Sequence, residues 1–146
     1  MRRKIKYIVV HCTGTTPDAT IDSILKFWKE VRKWNNPGYH YLIKRNGEIV
    51  SLLSEDKIAN GVKDFNIECV HVAYIGGVDK AGNRTDNRTP AQIRSLFNKL
   101  VALSEKYPGA TILGHRDFKG VTKKCPSFDV REWLRNYTPD ELAIAA

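Results

Sequence analysis

A chain of 146 residues is the size of one domain and is long enough to bury a core without disulfide staples. Its hydrophobic fraction of 42% and charged fraction of 27% exclude intrinsic disorder as the default, and no run approaches the roughly 20 apolar residues of a membrane span. The net charge of +8 favours polyanionic partners, but the basic residues are scattered, with no arginine-rich arm or helix-turn-helix pattern, which argues against a dedicated nucleic-acid binder.

The cysteines Cys12, Cys69 and Cys125 are odd in number and widely spaced, so they do not form a disulfide framework, and a reducing compartment of synthesis fits them. The basic start Met1-Arg2-Arg3-Lys4 is followed by only about five apolar residues, too few for a signal-peptide core. The expectation is a soluble protein made in the cytoplasm without an evident signal.

Along residues 4–12, Tyr7, Val9 and His11 alternate with Ile8, Val10 and Cys12, and both sets are apolar near the end. This predicts a central strand covered on both sides that delivers His11 at its carboxyl tip, where α/β sheets tend to bind ligands. Thr13 to Asp18 is rich in turn formers. Ile21, Ile24, Leu25, Trp28 and Val31 then recur at helical spacing, predicting an amphipathic helix from Thr20 to about Trp34. Asn35-Asn36-Pro37-Gly38 stops it, and Tyr39 to Lys44 and Ile49 to Leu52 flank an Asn-Gly pair as a hairpin.

Residues 54–68 read as loop, with a helical turn near Ser54 to Ile58, and Cys69 to Ile75 reads as a strand. A polar surface loop spans Asp79 to Arg88. Thr89-Pro90-Ala91-Gln92 then combines an N-cap, proline at the first helical position and a capping-box glutamine, ahead of a stripe of Ile93, Leu96, Phe97, Leu100, Val101 and Leu103. Thr111 to His115 is a second apolar run ending in histidine. Ser127 or Asp129 caps a last helix carrying Phe128, Val130, Trp133 and Leu134, and the tail from Asp140 to Ala146 reads as frayed.

Two strands thus end in histidines, His11 and His115, and a loop after the second leads to Cys125, completing a His-His-Cys set of the kind zinc takes. Taken singly, either histidine would more often be a hydrogen-bonded core residue, and Cys125 a buried thiol like Cys12 and Cys69. Lys123, two residues before Cys125, shares its face in an extended segment and is suited to stabilise an oxyanion, though a solvated surface patch with Lys119 and Lys124 is the commoner reading. Tyr39 has a similar core alternative.

The blocks Ile8-Val9-Val10-His11-Cys12-Thr13, Gly38-Tyr39-His40-Tyr41-Leu42-Ile43, Ile75-Gly76-Gly77, Thr89-Pro90-Ala91-Gln92 and Cys125-Pro126-Ser127-Phe128-Asp129 resemble, in this order, the type 2 zinc-dependent N-acetylmuramoyl-L-alanine amidases. The likeness is greatest to phage amidase-type lysozymes, and the animal peptidoglycan recognition proteins share the fold. The resemblance implies one α/β domain over residues 1–146, core about 5–137, with a central mixed sheet flanked by helices and Zn2+ in a surface groove.

It carries the zinc ligands to His11, His115 and Cys125, and the catalytic tyrosine and lysine to Tyr39 and Lys123. The implied reaction is hydrolysis of the amide between the lactyl group of N-acetylmuramic acid and L-alanine, with bacterial peptidoglycan as partner and a monomer as the expected state. The other reading is a peptidoglycan-binding or regulatory module of the same fold without turnover. Three features stand apart. His40, on the other strand face from Tyr39, reads as structural. His71 replaces a small residue, often glycine, of the family's Ser-Ile-Gly-type strand and is not counted as a ligand. The loop from Arg116 to Lys124 is longer than in the nearest phage relatives. Thr13, Trp28, Asn66 and Arg116 are weaker candidates for groove contacts.

Overall fold

The structure is a computed structural model that describes residues 3–138, so the tail expected to fray lies outside the described residues. The strands are β1 (Tyr7–Cys12), β2 (Tyr41–Ile43), β3 (Ile49–Ser51), β4 (Cys69–Tyr74) and β5 (Thr111–Gly114), and the α-helices are α1 (Ile21–Glu30), α2 (Pro90–Lys106) and α3 (Val130–Asn136). They build one α/β domain around a five-stranded sheet of order β3-β2-β4-β1-β5. β1 pairs in parallel with both β4 and β5, β2 pairs in parallel with β4, and the hairpin strand β3 is antiparallel, which makes the sheet mixed.

The alternation along β1 assigns its two faces. Ile8, Val10 and Cys12 join Val70, Val72 and Tyr74 of β4 against Leu96, Leu100 and Leu103 of α2 and Val130 of α3. On the opposite side, Val9 packs with Cys69, Leu113 and Phe118, and farther along Leu42, Ala73 and Ile75 receive Ile24 and Trp28 of α1. The result is a three-layer arrangement with β1 buried along Ile8–Cys12, in accord with the apolar pattern on both faces.

The capping box of α2 forms as its sequence predicts: Thr89 Oγ1 accepts from Gln92 N at 3.0 Å and Gln92 Oε1 accepts from Thr89 N at 3.0 Å. Gln92 is fully buried because its amide also donates to Ile43 O and Ile75 O, so the cap fastens the helix start to the ends of β2 and β4. Asp129, rather than Ser127, caps α3.

Three details differ from expectation. α1 ends at Glu30, Lys33 takes a positive φ of 59°, and Trp34 returns beside Trp28 with ring centroids 6.3 Å apart, leaving Val31 63% exposed instead of in the stripe. Val101 is also exposed, since the contact surface of α2 narrows to Leu96, Leu100 and Leu103. Between β3 and β4, Ser54 to Ile58 holds a single hydrogen-bonded turn, with Lys57 N donating to Ser54 O at 3.0 Å, and the one helical segment is a short 3₁₀ stretch at Asn66–Glu68, where Asn66 Oδ1 accepts from Val62 N.

Candidate active site and metal centre

A groove of about 600 Å³ opens at the carboxyl ends of β1 and β5, lined by His11, His115, Cys125, Tyr39, Lys123 and Arg84 among others. His11 is carried by the last turn of the central strand, while His115 directly follows β5, the neighbour of β1. Cys125 returns on the long loop, whose base is tied by Arg116 N donating to Cys125 O at 2.7 Å and Gly114 N donating to Asp117 Oδ2 at 2.8 Å. A Cβ at Gly114 would stand 2.9 Å from Pro126 Cδ, so glycine lets the loop close on β5.

The three residues read from sequence as a ligand set meet: one donor atom from each of His11, His115 and Cys125 lies within 4.8 Å of the others. Two imidazoles and a thiol, converging at the end of a groove and leaving the groove side open, suit zinc with three protein ligands and a free fourth position. Cys125 Sγ is 4.0 Å from His11 Nδ1, which makes Nδ1 the nitrogen of His11 that faces the cluster.

Tyr39 lies against His11, ring centroids 4.9 Å apart, and its hydroxyl donates to Cys12 O at 3.1 Å. Lys123 is exposed at the groove rim on the same side as Cys125. Of the weaker candidates, Thr13 and Trp28 line the groove, whereas Asn66 and Arg116 do not. Asn66 is turned inward to Val62 and His71, and Arg116 reaches Pro126 O.

Burial, aided by His71, His115, His40 and Lys123, pushes the His11 pKa well below its ordinary value, and burial with Lys123 brings His115 down to about 4. Both imidazoles are neutral and free to coordinate at neutral pH. Burial, reinforced by the neighbouring thiols Cys125 and Cys12, holds Tyr39 well above the usual phenol range, so it is a hydrogen-bond donor. Cys12 and Cys125 lie 3.7 Å apart; their mutual hydrogen bond lowers Cys12 and, with burial, raises Cys125, while Cys12 N donates to Cys125 Sγ at 3.3 Å.

Sequence reasoning did not foresee two members of the site. Arg84, read as part of a polar surface loop, lines the groove and comes within 3.7 Å of Cys12 Sγ. His71 is fully buried beneath His11, its Nδ1 2.8 Å from His11 Nε2. Burial first, then His40, His115 and Arg3, push the His71 pKa well below normal, so it is neutral. All four histidines of the chain therefore form one series, with successive centroids 5.8 Å from His40 to His71, 4.9 Å to His11 and 5.0 Å to His115. The signal available in sequence was the even spacing from Cys69 to His71, which puts His71 on the face shared with Val9 and His11 once β1 and β4 pair.

The sheet and its flanking helices are shared with known amidases and recognition proteins. The peptidoglycan recognition protein PGRP-LB of Drosophila has the same fold at TM-score 0.74 and 20% identity, over 94% of this chain and 83% of that one. The Ph2119 endolysin from a Thermus scotoductus bacteriophage superposes at TM-score 0.74 and 27% identity, covering 86% of this chain and 79% of its own. In sequence, the endolysin of Klebsiella phage KP32 is 37% identical over 134 residues, 90% of this chain and 87% of that protein. The family profile described as N-acetylmuramoyl-L-alanine amidase matches residues 1–128, and the chain belongs to this amidase family.

Proposed function

We propose that this chain is a zinc-dependent amidase that cuts the bond between N-acetylmuramic acid and L-alanine in bacterial peptidoglycan. The observation that carries this is the convergence of His11, His115 and Cys125 in a groove that also presents Tyr39 and Lys123. The three ligands would hold the ion, which when bound supplies Lewis-acid polarisation of a carbonyl and a lowered pKa for water.

The remaining duties fall to the chain's own groups. The Lys123 ammonium, exposed at the groove rim, stabilises the oxyanion that develops on the substrate carbonyl. The Tyr39 hydroxyl, kept protonated at the groove floor, orients the substrate and relays a proton, taking one from the attacking water as it gives its own to the leaving amine. Arg84 adds a second cation to the groove wall, and with the net charge of +8 it favours an acidic wall polymer at low salt. Thus the site of action is the cell wall; among the described residues no helix is long and apolar enough to cross a membrane.

Incubating zinc-loaded protein with purified peptidoglycan should release muramyl glycans free of peptide and peptides beginning with L-alanine, and a chelator should stop the release. Release that survives complete removal of zinc would rule this mechanism out. Binding to the polymer without any release would instead support a module that recognises peptidoglycan without turnover.

A further inference from the structure

The histidine behind His11 is held by an unbroken series of hydrogen bonds whose donors and acceptors can be assigned in turn. Val62 N donates to Asn66 Oδ1 at 2.7 Å, which fixes the amide with its oxygen towards His71. His71 Nε2 lies 3.0 Å from that same oxygen, and an amide oxygen only accepts, so Nε2 of His71 carries the proton. A neutral imidazole with its proton on Nε2 has a lone pair on Nδ1, and this atom is 2.8 Å from His11 Nε2. His11 must then donate from Nε2, which leaves Nδ1 unprotonated on the Cys125 side.

We propose that His71 is a positioning residue: set by Asn66, it fixes the tautomer and ring orientation of His11 so that Nδ1 is presented to the metal. The inference rests on the zinc reading above. Three further features show that the arrangement is built in. His71 N donates to His40 Nδ1 at 3.0 Å, while His40 Nε2 meets Lys57 O at 2.8 Å, so the backbone of β4 at this point is anchored by a second histidine of assigned tautomer. The rings of His40 and His71 stack with an interplanar angle of 8°. Gly61 supplies the room, since a Cβ there would lie 2.3 Å from His71 Nδ1 and 2.4 Å from Cε1.

A residue that orients a metal-ligating histidine is worth roughly 10–100-fold in metal affinity. With a chromophoric chelator as competitor, His71→Ala should therefore bind zinc about 10–100-fold more weakly than the wild type. His71→Asn, whose side-chain oxygen falls near the Nδ1 position, should recover most of that loss. Gly61→Ala should weaken zinc binding in the wild-type background and add little in the His71→Ala background, because its clash is with the ring that is gone.

Zinc-loaded protein with ¹⁵N-labelled histidines gives a reading that needs no variant: His11 should carry its proton on Nε2, and so should His71. A proton on Nδ1 of His71, or equal zinc affinity in the wild type and His71→Ala, overturns the relay while leaving zinc binding intact. Wild-type protein that takes up no zinc overturns the function proposed above together with this inference.

Discussion

The two faces of the sheet are made of different material. Towards α2 and α3, β1 and β4 present Ile8, Val10, Val70, Val72 and Tyr74 to a leucine stripe, and these five strand side chains are fully buried. Towards the groove, the same two strands present His11 and His71, which are just as buried but are hydrogen-bonded to one another and onward to Asn66. Equal burial has opposite meanings on the two faces. On the first it excludes water and stabilises the domain; on the second it places neutral imidazoles where charge is disfavoured and each nitrogen must have an assigned partner.

That contrast predicts that changes on the groove face alter chemistry more than folding, and changes on the helix face the reverse. The largest effect belongs to the ligand set: Cys125→Ser should lose zinc and activity together, with activity reduced by more than about 10³-fold as the electrophile is lost, measured by metal analysis and peptide release. Lys123→Ala should keep its zinc and lower kcat by roughly 10²–10³-fold, the usual effect of removing one oxyanion donor. Loss of zinc in Lys123→Ala equal to that in Cys125→Ser would erase the distinction between holding the ion and acting on the substrate.

On the helix face, Leu100→Ala should cost about 2–5 kcal/mol in a urea titration, because its side chain is almost wholly buried in the stripe. Zinc affinity, measured below the unfolding transition, should not change. A shift in zinc affinity would mean that the two faces are not independent.

The smallest effect is a pH dependence at the edge of the helix face. Burial would raise the Glu55 pKa, but hydrogen bonds from Tyr107, Tyr41 and Lys106 outweigh it and bring it down to about 2. A depressed carboxylate pKa contributes stability above the unfolded value near 4.5, and that contribution is lost as pH falls from about 4.5 to about 2. The group is partly open to solvent, so wild type should lose only ~1–2 kcal/mol relative to Glu55→Gln over that window. Parallel urea midpoints for the two proteins would remove Glu55 from the account.

Much of this organisation was legible in the chain itself. Alternation around His11 and the apolar run before His115 place both histidines at strand ends, Thr89-Pro90-Ala91-Gln92 opens α2 at the predicted residue, and Lys123 lies two positions from Cys125 on the groove side. These are local signals, set by periodicities of two and about 3.6 residues and by caps that bond within one turn. Val31 and Val101 could not be placed that way. Their spacing suits a buried stripe, but where the stripe ends depends on how Trp34 folds back and how wide the sheet beneath α2 is.

The sequence by itself determined the main elements, the candidate ligand set and the family. The tertiary structure alone decided what His71 and Gly61 do: a histidine in place of a small residue reads as an irregularity until strand pairing brings it to His11, 60 positions away. The physical reason is that a tautomer belongs to no single residue. It is set by the partners on both ring nitrogens, and here those partners come from β1 and from the 3₁₀ segment before β4, while a loop glycine leaves the ring its space.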